Sequence, residues 1–177
     1  MDCIAGLSRA FSMLQEARIG HLIPEVQSNF GYCTPAAAAP EDVVGFPARI
    51  IRRGDSIHAA APPEPGGSRH IARIILTAFS HDRRFRSAMN IAWSPALIDR
   101  CKAIGYLVYE FDRSAEPSDV KQREGATLEW GTQRAIACAG RVPDIVFDRG
   151  DFGKEPMIRV LGTDPADVAS KIITISS

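Results

Sequence analysis

The sequence predicts an α/β protein, with a mixed, mostly parallel β-sheet and helices on both of its faces. Three observations predict it. Runs rich in β-branched and aromatic residues, at 88–93, 106–111, 144–147 and 157–161, alternate with amphipathic helical stretches, the pattern of sheet strands joined by helices. Two short β runs, 49–52 and 56–60, meet at Gly54-Asp55, a good hairpin turn, which makes the sheet mixed. A chain of 177 residues, 45% apolar and 24% charged, suits one domain spanning 1–177, one able to bury roughly 70% of the surface its unfolded form exposes.

Taken in order, Ile4, Leu7, Phe11 and Leu14 recur at steps of three and four, so residues 1–20 form an amphipathic helix packed on the domain, with Gly20 as its stop. Residues 22–32 read as strand and loop, and Pro24 is tolerable only at an edge or a strand start. An alanine-rich connector at 35–40 leads into Glu41, Asp42 and Val43, a short helical turn after Pro40. Beyond the hairpin, Pro62, Pro63 and Pro65 precede Gly66-Gly67-Ser68 and a helix in which Ile71, Ile74, Ile75 and Ala78 are buried. His70, Arg73 and Thr77 then lie on its flank. After the 88–93 strand, Ser94 is an N-cap with Pro95 at the first helical position, and Gly105 ends that helix. Residues 116–140 read as a polar loop or helix followed by a helix at 132–139 that Gly140 stops. The strand at 144–147 runs into a glycine-punctuated loop at 150–156, and Asp164-Pro165 opens a last helix through Ile173.

Charge narrows the classes of partner. Lys+Arg and Asp+Glu number 21 each, so no global field draws the chain to nucleic acid or to an anionic membrane, and affinity for anions must be local. Cys3, Cys33, Cys101 and Cys138 show no C-x-x-C pair and no paired histidine spacing, which argues against zinc and against a disulfide framework. With no signal-like apolar start and no run of membrane-spanning length, the expected setting is the cytoplasm, with reduced thiols.

Several separated anion-binding candidates stand out. Gly66, Gly67 and Ser68 allow close backbone approach at a helix start, where N–H groups and the dipole favour phosphate. Arg69 adds a planar fork of donors; a loop with a capped helix and a solvated arginine would read the same. Phe111-Asp112-Arg113 and Phe147-Asp148-Arg149 both end strands, where ligands gather in α/β sheets. Asp112, Asp148 and Asp151 are the carboxylates available to Mg²⁺, which prefers one or two carboxylates plus phosphate oxygens and water. Capping and surface roles fit them equally. Gly153-Lys154 is no Walker motif, because Asp148 and Glu155 stand where glycine and Ser/Thr are required. Lys154 still suits a phosphate, Arg86 could clamp one, and Asn90 could hydrogen-bond a heterocycle, although a loop arginine and a turn asparagine would look alike. The bulky Trp130 reads as core, with stacking on an aromatic ligand as the alternative.

A set of longer strings is more specific. Ile23-Pro24-Glu25-Val26 with Ser28-Asn29, Gly67-Ser68-Arg69-His70-Ile71-Ala72-Arg73, Arg86-Ser87-Ala88-Met89-Asn90-Ile91, Phe111-Asp112-Arg113 with Glu116-Pro117, Glu129-Trp130-Gly131, and Gly153-Lys154-Glu155-Pro156-Met157-Ile158-Arg159-Val160 together resemble the ThiN family, in the family's order, from about Leu22 onward. The resemblance implies a three-layer α/β/α fold of the AraD-like aldolase group. It also implies a thiamine-phosphate synthase, a transferase joining hydroxymethylpyrimidine diphosphate to hydroxyethylthiazole phosphate with release of pyrophosphate.

Carried onto matching positions, it makes Arg49 and His70 the catalytic candidates. Gly66, Gly67, Ser68, Arg69, Arg86, Asn90, Arg113 and Lys154 become substrate or phosphate ligands, with Mg²⁺ implied by the diphosphate and held by Asp112, Asp148 and Asp151. The expected partners are small phosphorylated molecules and a separate hydroxymethylpyrimidine phosphate kinase, with a homo-oligomer open and no nucleic acid or membrane. The family also contains sensor domains of regulators that bind thiamine phosphates without making them. The neutral charge and the single helix ahead of the matched region disfavour a DNA-binding regulator. An aldolase-like sugar-phosphate enzyme is a third class, one that the scattered histidines do not favour.

Overall fold

In chain order the elements of the computed structural model, which describes residues 2–121 and 125–177, are α1 (Cys3–Glu16), β1 (Phe30–Cys33), β2 (Val43–Gly45), β3 (Ile50–Arg53), β4 (Ser56–Ala59), β5 (Glu64–Pro65), α2 (Arg69–His81), β6 (Ser87–Ala92), α3 (Pro95–Ile104), β7 (Val108–Glu110), α4 (Ser118–Lys121), α5 (Ala126–Ala139), β8 (Ile145–Asp148), β9 (Met157–Gly162) and α6 (Pro165–Ser176). Local chemistry accounts for most of the boundaries. Ser94 Oγ accepts from the Leu97 N–H and Asp164 from the Asp167 N–H, each ahead of a proline at the first helical position. Gly105 and Gly140 end their helices with positive φ. α5 starts at Ala126, six residues before the expected 132, and residues 122–124 of the stretch read as loop or helix lie outside the described ones. Gly20 does not end α1, which stops at Glu16; it packs instead against the Asp55 backbone of the β3–β4 turn and donates its N–H to the Asp55 carbonyl at 2.8 Å.

Seven strands form one sheet in the order β5-β2-β1-β6-β9-β8-β7, and β3 and β4 form a separate hairpin through Gly54-Asp55. The sheet is mixed but mostly antiparallel, which corrects the expectation of a mostly parallel one: only β7 and β8 pair in parallel. The reason lies in connectivity. β9 returns directly from β8 through the 149–156 loop and inserts between β8 and β6, so two antiparallel ladders occupy the centre. Only the segment carrying α5 acts as a crossover between neighbouring parallel strands. α2 and α3 link strands that are not adjacent, which alternation along a sequence does not reveal.

Side chains alternate across the sheet and create two cores. On one face Phe30, Met89, Ile91, Ile145, Ile158 and Val160 pack against Leu7 and Leu14 of α1, Cys101 of α3, and Val168 and Ile172 of α6. On the other, Ala88, Val146 and Leu161 meet Ile71, Ile75 and Ala78 of α2 and Ala135 and Ile136 of α5. The layers are therefore helix, sheet, helix. The hairpin contributes Ile50 and Ile57 to the first core and so is anchored beside the end of the sheet.

Candidate active site

Strand alternation explains the floor of the site. The positions of β6, β8 and β9 that face α2 and α5 run from an apolar row (Ala88, Leu161), through a row that sets Asn90 and Arg159 beside Val146, to Asp148. Asn90 is the register partner of Arg159, whose neighbour on β8 is Val146, and Asp148, two residues further along β8, reaches Arg159 through its side chain. Above this polar patch opens a cavity of about 460 Å³, whose lining includes Arg49, His70, Arg113, Lys154 and Arg159. Ile71, Ile74, Leu128 and Met157 give it an apolar wall.

Asp148 is fully buried, and its carboxylate accepts from Arg113 Nε at 2.6 Å, from Arg159 Nη1 at 2.7 Å and from the Gly150 N–H at 2.8 Å. Both guanidiniums lie by the Phe111 ring, at 5.8 and 5.2 Å from its centre, where its negative face attracts them. Burial pushes the Asp148 carboxyl up, but Arg159 and Arg113 beside it hold it below the ordinary carboxylate value. Burial lowers Arg159 while Asp148 opposes that shift, and a guanidinium remains charged in either case. Two cations against one anion leave this buried cluster with a net positive charge aimed at the cavity.

The rim is built from strained and tightly tied backbone. Gln27 (φ 71°) and Arg49 (φ 60°) are both non-glycine residues in the left-handed region, each immediately before a member of the Ser28–Ile50 bridge. Such conformations cost on the order of 1–3 kcal/mol and persist where surrounding contacts over-determine them. Here Ser28 and Ile50 exchange both backbone hydrogen bonds, at 2.9 and 2.8 Å, and Arg49 Nη1 donates to the Val26 carbonyl. Glu155 closes the opposite rim, accepting from the Glu25 and Val26 N–H groups at 3.1 and 3.0 Å, so the β8–β9 loop that presents Lys154 is pinned to the 25–29 segment. The 125–128 stretch forms a third side, and a Cβ at Gly125 would overlap the Arg73 guanidinium.

The structure brings Arg49, His70, Asn90, Arg113 and Lys154 together around the cavity, from β6, the start of α2, the segments just before β3 and after β7, and the β8–β9 loop. It does not bring the other expected phosphate ligands there. Gly66, Gly67, Ser68 and Arg69 are not among its lining residues. Gly67 is glycine because a Cβ would collide with the Gly45 carbonyl of β2, and the Ser68 hydroxyl donates to Asn29 Oδ1 at 2.9 Å. Arg86 lies at the far end of β6, its guanidinium 4.9 Å from the centre of the Tyr32 ring. Asn90 borders the cavity, yet its carboxamide is engaged with Asn29, Gln27 and Met157 rather than projecting as a free hydrogen-bonding group.

The three aspartates do not converge. Asp112 caps the turn after β7 by accepting from the Ser114 N–H, and Asp148 is saturated by two arginines. Asp151 accepts from the Phe152 N–H on an exposed turn. Among the described residues no group of three or more His, Cys, Asp or Glu side chains is arranged to hold a metal ion. The three carboxylates therefore do not form one shared metal centre. Trp130 is half-buried and packs edge-on against Phe111, away from the lining. The residue missed at the sequence level is Arg159. Its signal was a lone charge inside the apolar strand 157–161, on the same face as Leu161.

The family described as Thiamine-phosphate synthase ThiN matches residues 6–174. The chain belongs to the ThiN family. It is 39% identical over 173 residues to the Thiamine-phosphate synthase ThiN of Methanothermobacter thermautotrophicus, covering 97% of this chain and 91% of that relative. It is 40% identical to the Bifunctional thiamine biosynthesis protein ThiDN of Methanocaldococcus jannaschii, again over 97% of this chain but only 40% of the longer protein. Among solved structures, the C-terminal domain of phosphomethylpyrimidine kinase superposes with a TM-score of 0.92 at 38% identity, covering 98% of this chain and 97% of that one. The L-fuculose-1-phosphate aldolase of Thermus thermophilus gives a TM-score of 0.53 at 13% identity over 96% of this chain and 90% of its own, a likeness of fold that agrees with the expected aldolase-like layers. Among the described residues no helix is long and apolar enough to cross a membrane.

Proposed function

We propose that this ThiN protein is a transferase that makes thiamine phosphate from hydroxymethylpyrimidine diphosphate and hydroxyethylthiazole phosphate. The observation that carries the reading is the convergence of Arg49, His70, Arg113, Lys154 and Arg159 on one cavity that also has an apolar wall, in a chain of zero net formal charge. Such a cavity matches two ligands that each join a flat heterocycle to phosphate. Family membership and the names of its relatives support the same reading.

In this reaction the bond from the pyrimidine methylene to the diphosphate oxygen breaks, the thiazole nitrogen bonds to the methylene carbon, and pyrophosphate leaves with the electron pair. Charge develops on the leaving oxygens, so preorganised cations contribute most. Arg49 and His70 face that oxygen in our reading, His70 donating a hydrogen bond or a proton. Lys154 and the Arg113–Asp148–Arg159 cluster hold phosphate groups, and Ile71, Ile74, Leu128 and Met157 keep water from the activated methylene. The diphosphate would come from a separate kinase, in keeping with the similar domain that forms the C-terminal part of a phosphomethylpyrimidine kinase.

Arg49→Ala and His70→Ala test the assignment. Removing one transition-state donor commonly costs about 10²–10³-fold in kcat, and both variants should stay folded because Arg49 and His70 are exposed. Near-normal turnover in both would remove them from the chemistry.

A further inference from the structure

Asn90 is the polar residue at the centre of the sheet whose side chain reaches outward to the rim. It is 6% exposed. Asn90 Oδ1 accepts from the Asn29 N–H at 2.7 Å and from Asn29 Nδ2 at 3.4 Å, while Asn90 Nδ2 donates to the Gln27 carbonyl at 3.2 Å and lies 3.2 Å from Met157 Sδ. The Asn90 N–H adds a bond to the Asn29 carbonyl at 3.2 Å. Gln27, Asn29 and Met157 all line the cavity.

A carboxamide suits this place because it offers a donor and an acceptor on one fork. The left-handed turn at Gln27 leaves its carbonyl and the Asn29 N–H outside a regular ladder, and the fork satisfies both. The link continues. Asn29 Oδ1 accepts from the Ser68 hydroxyl at 2.9 Å, and Ser68 is the N-cap residue of α2, yet that hydroxyl does not bond the helix N–H groups. A capping interaction worth about 1 kcal/mol is thus given up for a tie to the 27–29 segment. On one side this chain of contacts ends two residues before His70. On the other it runs through the Ser28–Ile50 bridge and the Val26 carbonyl to Arg49.

We propose that Asn90 is a positioning residue that, through Asn29 and Ser68, sets Arg49 and His70 in register across the cavity. The inference rests on the preceding assignment of those two residues to the reaction. It replaces direct hydrogen bonding of Asn90 to a heterocycle.

The test compares Asn90→Ala, the isosteric Asn90→Asp, and Ser68→Ala by steady-state kinetics and by amide hydrogen exchange on the folded proteins. Asn90→Ala should lower kcat about tenfold or more with KM changed less than about threefold, because misplacement acts on the transition state. Exchange should rise at 27–29 and at 68–71 but stay unchanged in β8. Asn90→Asp keeps the acceptor for Asn29 but sets a buried carboxylate oxygen against the Gln27 carbonyl, so it should be at least as impaired as Asn90→Ala. Ser68→Ala should loosen 68–71 and lower kcat while 27–29 stays protected. A rise confined to KM would make Asn90 a direct ligand contact and overturn the proposal, as would unchanged exchange in both segments. Should the wild type show no synthase turnover while exchange follows this pattern, the assigned reaction fails and the clamp stands.

Discussion

Replacing Asp148 by asparagine removes the anion between two buried guanidiniums. Arg113 and Arg159 are 9% and 3% exposed and hold the carboxylate at 2.6 and 2.7 Å, so water cannot take its place. Breaking a buried pair by removing one partner costs about 3–5 kcal/mol, since an uncompensated charge is left behind. At roughly 2–4 °C per kcal/mol for a chain of this size, the melting temperature should fall by about 6–20 °C. Asp55→Asn is the control. Its partner Arg18 is 71% exposed and Asp55 63%, and exposed pairs contribute at most about 1 kcal/mol.

Urea denaturation of the two variants beside the wild type measures both, and pH adds a second signature. The folded carboxyl of Asp148 is held below its ordinary value of 3.8, so its stabilisation is fully present above that value and is lost as pH falls through the lowered one. Asp148→Asn should lack that acid limb. A loss below about 1 kcal/mol, equal to that of Asp55→Asn, would refute the reasoning that a buried, charge-dense cluster forms the floor.

Other outcomes follow from single contacts. Lys154→Ala should raise KM for a phosphorylated substrate about tenfold with a smaller effect on kcat, because the lysine reaches the cavity from a loop; an unchanged KM in initial-rate kinetics would exclude it from phosphate binding. Gly67→Ala should destabilise the fold by about 1–3 kcal/mol in urea through its clash with the Gly45 carbonyl, while leaving KM unaltered. Native protein should react quickly with a thiol reagent at Cys138 alone of its four cysteines. Cys3, Cys33 and Cys101 are buried, and burial pushes the Cys33 and Cys101 thiols up to about 12 and about 11, so thiolate is scarce at neutral pH.

Much of the fold was legible because it is encoded locally. Ser94-Pro95, Asp164-Pro165 and Gly54-Asp55 act through their own hydrogen bonds and dihedrals, and each lies where the sequence put it. Strand order is not local. Nothing between Asp148 and Met157 announces that β9 enters between β8 and β6, and β2, three residues long, is too short to show a period. The site divides in the same way. His70 and Lys154 stand in the ordered strings and Arg49 came from the family resemblance alone, and all three line the cavity. The role of Arg159 was not legible, because a buried charge inside a strand makes sense only beside Asp148 and Arg113, which come from other elements. Gly66, Gly67 and Ser68 look like a phosphate loop in sequence, yet in space the spare volume of Gly67 is taken by β2 and the Ser68 hydroxyl by Asn29.

The most direct measurement mixes the purified protein with hydroxymethylpyrimidine diphosphate, hydroxyethylthiazole phosphate and Mg²⁺, and follows thiamine phosphate and pyrophosphate together. The expected result is equal release of the two products over many turnovers, lost in Arg49→Ala and His70→Ala. Tight binding of thiamine phosphate with neither product formed would contradict it, and would make the cavity a sensor's ligand site.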